Sequence, residues 1–279
     1  MNQRVSFSVV RVGLIARNTL LEASRQKLFS FLLLLALALV GGAQWFRDFN
    51  FGAPELKFLA DLGYGAMAFF GAALTVAATA QLFFSEIENR TALTLLAKPV
   101  WRAEFVLGKY LGVLAVTATF CALLTALLAT VLLARQQTLM SEMPDAFLRG
   151  ATLRLGDLIG AGLLQWLKLA VLAAFTLLVA SFSQTQLYTV VTGFFVLVIC
   201  HLQYLAQDAS SRGGSLFAQV VAGLIGLMFP NFQLFNLADG IGGGAPLDWD
   251  RVARVGLYAG GYVAAICLLT IYSFRKREI

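Results

Sequence analysis

From Leu169 to Gln207 the chain runs for 39 consecutive residues without an Asp, Glu, Lys or Arg. Such a stretch is too apolar for an aqueous surface and too long for one helical crossing of a bilayer, which takes about 20 residues at 1.5 Å each. The polar cluster from Ser181 to Gln186 falls near its middle and divides it into two spans, at about 164–183 and 187–205. Four further uncharged stretches have the length of a crossing, at about 28–46, 62–85, 110–134 and 255–274. Of the 279 residues 59% are hydrophobic and 13% charged, about half the charged share that keeps a soluble domain wet. A soluble globule and a disordered chain are excluded. So is a disulfide scaffold, since the three cysteines, Cys121, Cys200 and Cys267, all lie in apolar runs. The fold class is all-α: a polytopic membrane protein with six transmembrane helices in a single transmembrane domain spanning 1–279.

Between the spans, residues 1–27 form a basic leader, 86–109 an inner loop and 206–254 an outer loop. The outer loop contains an apolar segment, 216–229, that ends before Pro230 and is short for a crossing. It reads as re-entrant or interfacial, and an even number of spans keeps the two basic termini on one side. The segment 151–165 reads as a second candidate for the interface. With both termini inside, the inner segments carry 12 Lys and Arg in 60 positions and the outer ones 8 in 88, the bias that positive-inside topology requires. Trp45, Trp166, Trp249 and Tyr204 then fall at outer span ends, and Trp101, Tyr110 and Tyr272 at inner ones. Residues 28–43 have some features of a signal peptide, but the leader is long for one and cleavage would leave five spans. The first span is expected to stay.

In the leader, Arg4, Arg11, Asn18 and Arg25 recur every seven residues with Glu22 on the same stripe, while Val9, Val12, Ala16, Leu20 and Ala23 face away. That pattern predicts an amphipathic helix with its cations among anionic headgroups. A plain basic topology signal is the alternative.

The inner loop reads FSEIENRTALTLLAKPVWRAEFVLGKYLG over 84–112. Ser85 and Glu88 have the spacing of a capping box, 90–97 are good helix formers, and Pro99 stops a helix at about Lys98. A second helix is expected from about Val100 or Trp101 into the third span. Leu93, Leu95, Leu96 and Trp101 offer an apolar ridge, rimmed by Glu86, Glu88, Arg90, Lys98, Arg102 and Glu104. Such a ridge suits docking into another protein's groove; the alternative is a solvated turn anchored to headgroups.

This segment resembles the corresponding loop of ABC transporter permeases of the type-2 exporter superfamily. The resemblance rests on the acidic pair Glu86 and Glu88, then Arg90-Thr91, the Leu95-Leu96-Ala97-Lys98-Pro99 stretch, Arg102, and Phe105 through Gly108-Lys109. It is closest to the branch with the permease of the nitrous-oxide-reductase copper-maturation system. The resemblance implies a cytoplasmic coupling helix in which Glu86, Glu88, Arg90, Thr91, Leu95, Leu96, Lys98, Pro99 and Arg102 engage a separate ATPase. It also implies a multi-pass protein of the bacterial cytoplasmic (inner) membrane, pairing with a second copy or a similar permease. Two copies of an ABC ATPase would serve the pair, and an extracytoplasmic partner would receive the motion if it is mechanical.

No motor is legible in the chain itself. Its Gly-Lys pair, Gly108-Lys109, has Ala103 where a phosphate-binding loop needs its first glycine and Tyr110 where it needs Ser or Thr. The chain is therefore expected not to be an enzyme and to bind no cofactor, ATP and Mg belonging to the partner ATPase; no nucleic-acid partner is expected. His201 beside Cys200 is a weak copper pair, since adjacent helical residues point about 100° apart. Lys168 is the one charge inside a predicted span and is expected to snorkel. Gln44, Thr75, Thr79, Thr189 and Thr192 are candidates for a cargo path or subunit seam, or else satisfy carbonyls of their own helices. The pairs Gly108/Gly112, Ala68/Ala72 and Gly256/Gly260 would allow close helix approach. The rival functions are a secondary transporter or channel, which calls for matched halves or embedded coupling charges, and a non-transporting scaffold.

The topology makes a direct prediction. A cysteine at Lys98 should react with a membrane-impermeant maleimide only after permeabilisation, and one at Arg149 should react in intact cells; the reverse pattern would invert the orientation.

Overall fold

A computed structural model describes residues 7–45, 55–88, 101–142, 152–211, 216–237, 240 and 246–275. Among them the regular structure is all helical. A leader helix α1 (Val9–Ser24) precedes α2 (Lys27–Gly42), α3 (Glu55–Glu88), α4 (Arg102–Glu142), α5 (Leu155–Phe182), α6 (Gln186–Ser211), α7 (Leu216–Met228) and α8 (Trp249–Arg275). Six of these, α2 through α6 and α8, are long and apolar enough to cross a membrane. The fold is that of a polytopic membrane protein.

The bundle is organised around α5, whose apolar window is 78% buried against 28% for α2, α6 and α8. It packs against α3, α4, α6 and α8. Small residues let it sit there: a Cβ on Gly162 would lie 2.9 Å from Thr125 Cγ2 of α4, and one on Gly71 of α3 would lie 2.7 Å from Leu169 Cδ1. Tyr64 and Tyr110 donate across the bundle to the carbonyls of Leu158 and Ala170, at 2.9 and 3.0 Å.

The helices outrun the uncharged stretches that predict them. Helix α3 begins at Glu55 and α4 continues to Glu142 because Arg135 grips Glu55 with two nitrogens, Nε to Oε1 at 2.6 Å and Nη2 to Oε2 at 3.2 Å. Charged turns remain helical when each charge has a partner. Segment 151–165 is not a separate interfacial piece: from Leu155 on it forms the first turns of α5, with Leu158, Ala161 and Leu164 fully buried. Two aromatic placements change with it. Trp166 lies well inside α5 and donates to Leu114 O at 3.1 Å, and Tyr110 is buried within the bundle.

The hairpin between the fourth and fifth spans falls at 183–185. Ser183 adopts extended backbone there, and its hydroxyl bonds to Thr185 O and Thr189 Oγ1. Helix α7 has 13 residues, about 20 Å of rise against a hydrocarbon core of about 30 Å. Its end enters the bundle. Phe229 stacks on Phe175 of α5 at 5.8 Å, and Asn231 N–H donates to Tyr258 of α8 at 3.0 Å. The 3₁₀ turn Phe232–Phe235 that follows places Phe232 edge-on to His201 at 5.3 Å. Lys168 does not snorkel: it is 4% exposed, donates to Asn236 Oδ1 at 3.2 Å and lies over the Phe232 ring. The returning segment supplies partners for that ammonium.

Gly162 and Gly156 share α5, but a Cβ at Gly156 would meet nothing within 4 Å. Gly162→Val should therefore lower the unfolding temperature of the detergent-solubilised protein, by an overpacking cost of about 1–3 kcal/mol. Gly156→Val, with the same change in helix propensity, should leave it nearly unchanged.

Candidate functional site

The end of the bundle that carries loop 89–100 is held by one buried carboxylate. Glu104 lies at the third position of α4, where it accepts from the backbone N–H of Trp101 at 3.1 Å, the N-terminal side of a capping box. It also reaches the leader: Ser8 N–H donates to Oε1 at 2.6 Å, and Arg11 donates through Nε to Oε2 at 2.9 Å and through Nη2 to Oε1 at 2.7 Å. Glu104 is fully buried, so both oxygens are satisfied by protein groups. The hydrogen bond to Glu104 raises the Arg11 pKa above its already high ordinary value, and the pair stays ionised throughout the range in which the protein would be handled.

Two glycines complete the seat for the leader. A Cβ on Gly108 would stand 2.6 Å from Ile15 Cβ and 3.1 Å from Val12 O, and one on Gly112 would collide with Thr19 and stand 3.0 Å from Ala16 O. Residues 8–11, 12–15 and 16–19 thus meet Glu104, Gly108 and Gly112 in turn, so α1 and α4 run in the same direction. The polar stripe of the leader is thus partly engaged by protein, while Asn18 and Arg25 stay exposed. Arg11 and Glu22 of its polar stripe face protein groups, Val12, Thr19 and Ala23 are buried, and Val9, Val10, Leu14 and Leu21 form the exposed face. Gly108-Lys109 lies within α4 against this helix. The Gly256/Gly260 pair makes no comparable approach, Gly260 facing open space.

Both edges of the loop join the same cluster. On the α3 side, Ser85 lies inside the helix and so does not cap one; its hydroxyl donates to Glu22 Oε1 at 3.0 Å, and Lys109 Nζ lies 3.9 Å from Glu22 Oε2. On the α4 side, Arg102 Nη1 donates to Phe274 O in the last turn of α8 at 3.0 Å. Beneath these contacts Phe105 stacks on Phe274 at 5.7 Å, and Phe83 meets both rings. The ends of α3 and α4 that flank residues 89–100 therefore meet at a junction of α1, α3, α4 and α8. Trp101, 46% exposed, stands at its exit.

Of the predicted coupling residues, Glu86 and Glu88 fall in the last turn of α3 and Arg102 begins α4. Arg90, Thr91, Leu95, Leu96, Lys98 and Pro99, and the helix expected over 90–97, lie outside the described residues. The candidate cargo-path residues lie along three spans, α3 and α6 among them packed together where Gly193 meets Val76. Thr75 and Thr79 are buried and donate to the carbonyls of Gly71 and Thr75, Thr189 bonds Ser183, Thr192 is half-buried on α6, and Gln44 is exposed just past the end of α2. Glu104 and Arg11 are the residues that sequence reasoning undervalued. Each shows in the sequence as a charge at a helix edge, with no mark of the pairing across 93 positions.

Residues 9–210, from the first residue of α1 to the last turn of α6, match the family described as ABC-2 family transporter protein. The chain belongs to the ABC-2 transporter family. No curated protein is similar enough to count as a match. ABC-2 membership makes the chain a permease-type membrane subunit, which implies partnership with an ABC ATPase subunit. In this ABC-2 protein the matched region includes α1 and both helices that flank residues 89–100, while α7, the 3₁₀ turn and α8 lie beyond it.

Glu104→Gln should lower the unfolding temperature by several degrees and release the leader, read as faster proteolysis near residue 8. Arg11→Ala should do the same, and the double variant should be little worse than either single one, since both remove the same contact. Additive losses would mean that the two residues act separately.

Proposed function

We propose that this chain is the permease subunit of an ABC exporter of the cytoplasmic membrane, both termini inside, driven by a separate ATPase that docks on loop 86–102. The observation that carries this reading is the fastening of the loop's two ends. A push on the loop is delivered through Glu104 to the leader, through Arg102 to α8, and along α4 and α3 to the opposite end of the bundle. A solvated turn has no use for such bracing.

In this scheme Glu86 and Glu88 meet the rim of the ATPase groove, Arg90 and Thr91 continue that polar edge, and Leu95 and Leu96 pack within it. Lys98 and Pro99 set the corner, while Arg102 passes the load to α8. Two ATPases and two permeases, identical or similar, make the working unit, with ATP and Mg bound by the ATPases. Closure of the ATPases would move both α3–α4 loops together, and cargo would pass along the seam between the permeases. The poorly buried α2, α6 and α8 leave faces free for lipid and for that seam. Within the family, the loop sequence is the ground for placing the chain beside the copper-maturation permease; the family match extends to the family alone.

Reconstitution tests this reading. The purified chain should hydrolyse no ATP. With a partner ABC ATPase, the intact permease should stimulate hydrolysis, and the Glu86→Lys/Glu88→Lys double variant should lose that stimulation while remaining folded and inserted. Full stimulation by the double variant would remove the docking role.

A further inference from the structure

The leader is held at its two ends by contacts of unequal strength. Near its start, Ser8 and Arg11 give three hydrogen bonds to Glu104, whose carboxylate is fully buried. Near its end, Glu22, the one acidic residue in positions 1–26, reaches both helices that flank residues 89–100. The Ser85 hydroxyl of α3 donates to Oε1 at 3.0 Å, and the Lys109 ammonium of α4 stands 3.9 Å from Oε2, beyond hydrogen-bond reach.

The bond between Glu22 and Ser85 can open at small cost, because each partner has a replacement at hand. Ser85 Oγ also lies 3.5 Å from Leu82 O of its own helix, and the hydroxyl can turn to that carbonyl. The Glu22 side chain is 34% exposed, so water reaches its oxygens. The Glu104 carboxylate, with no exposure, has neither recourse. One turn before Glu22, Thr19 is fully buried, and its Oγ1 has no hydrogen-bond partner. A bare buried hydroxyl disfavours the present seat against one in which it finds an acceptor. Its methyl side meets Gly112 of α4, an apolar contact without directional demand. Beyond Glu22 the backbone turns at once into the first span: Arg25 N–H donates to Glu22 O at 3.2 Å, Gln26 N–H to Ala23 O at 3.0 Å, and α2 starts at Lys27.

We propose that Glu22 is a positioning residue of the coupling apparatus: with Ser85 it forms a reversible latch between the leader and α3. While closed, the latch sets the spacing of the α3 and α4 ends. Its release lets the last turns of α1 swing about the Glu104 contact and carry the start of the first span with them. The source of the push rests on the coupling reading; the latch itself is a property of this chain.

Hydrogen exchange of the full chain in nanodiscs, read by mass spectrometry, tests the latch at rest. Ser85→Ala should accelerate exchange over residues 19–25 by roughly threefold or more at unchanged unfolding temperature, and leave residues 9–15 as they are. Ser85→Thr, which keeps the hydroxyl, should exchange like the native chain. With a partner ABC ATPase and a non-hydrolysable ATP analogue bound, the native chain should show the same acceleration over 19–25. Under turnover, Ser85→Ala should raise the kcat of ATP hydrolysis about twofold with KM for ATP unchanged, and Ser85→Thr should restore it. No acceleration in Ser85→Ala, equal acceleration over 9–15, or a bound ATPase whose nucleotide leaves 19–25 protected would each overturn the proposal. An ATPase that does not bind the native chain, with the resting pattern of Ser85→Ala as expected, would sink the docking reading and uphold the latch.

Discussion

Glu104 is the constraint on which the loop end of the bundle depends. A fully buried carboxylate is tolerated only when its charge and lone pairs are matched, and here the matching groups come from the leader and from the turn that starts α4. Taking Arg11 away leaves the Glu104 charge without its cation. The leader is thus fixed to the third span by an ionic contact at one end and by glycine-mediated approach along its length, and the aromatic cluster of Phe83, Phe105 and Phe274 fills the space beneath.

The positions of the six spans could be read from the sequence because the bilayer imposes a length and forbids unpaired charge, and both leave a plain mark on the residues. Helix ends left no such mark. The pattern stops at the first charged residue, but the helix continues wherever that residue finds a partner, as Arg135 does in Glu55 and Arg11 in Glu104. The leader shows the same limit: its seven-residue stripe reveals a polar face, and nothing in that spacing says whether headgroups or a protein carboxylate will meet it. Lys168 was misread for a related reason, since Asn236 and Phe232 arrive from a segment whose path into the bundle has no periodic signature. Gly108 and Gly112 were legible as a small-residue pair, although what they receive is the chain's own N-terminal helix.

The family match and the packing divide the chain in a consistent way. The matched region from α1 to α6 supplies Glu104, Arg11 and Arg102 of the junction, and the part beyond it returns into the bundle, where Asn236 accepts from Lys168 and Phe274 closes the aromatic cluster.

Helix α4 has 41 residues, about 60 Å of unbroken rise, without a proline along it. It is tied near one end by Glu104 and near the other by Arg135, and its middle rests on α5 where Thr125 meets Gly162. A stiff beam supported at its centre behaves as a seesaw: a tilt of about 5° would shift each extremity by roughly 2.5 Å in opposite senses. A tilt of that kind at the Glu104 end would appear reversed at the Arg135 end, with Glu55 and the start of α3 carried along.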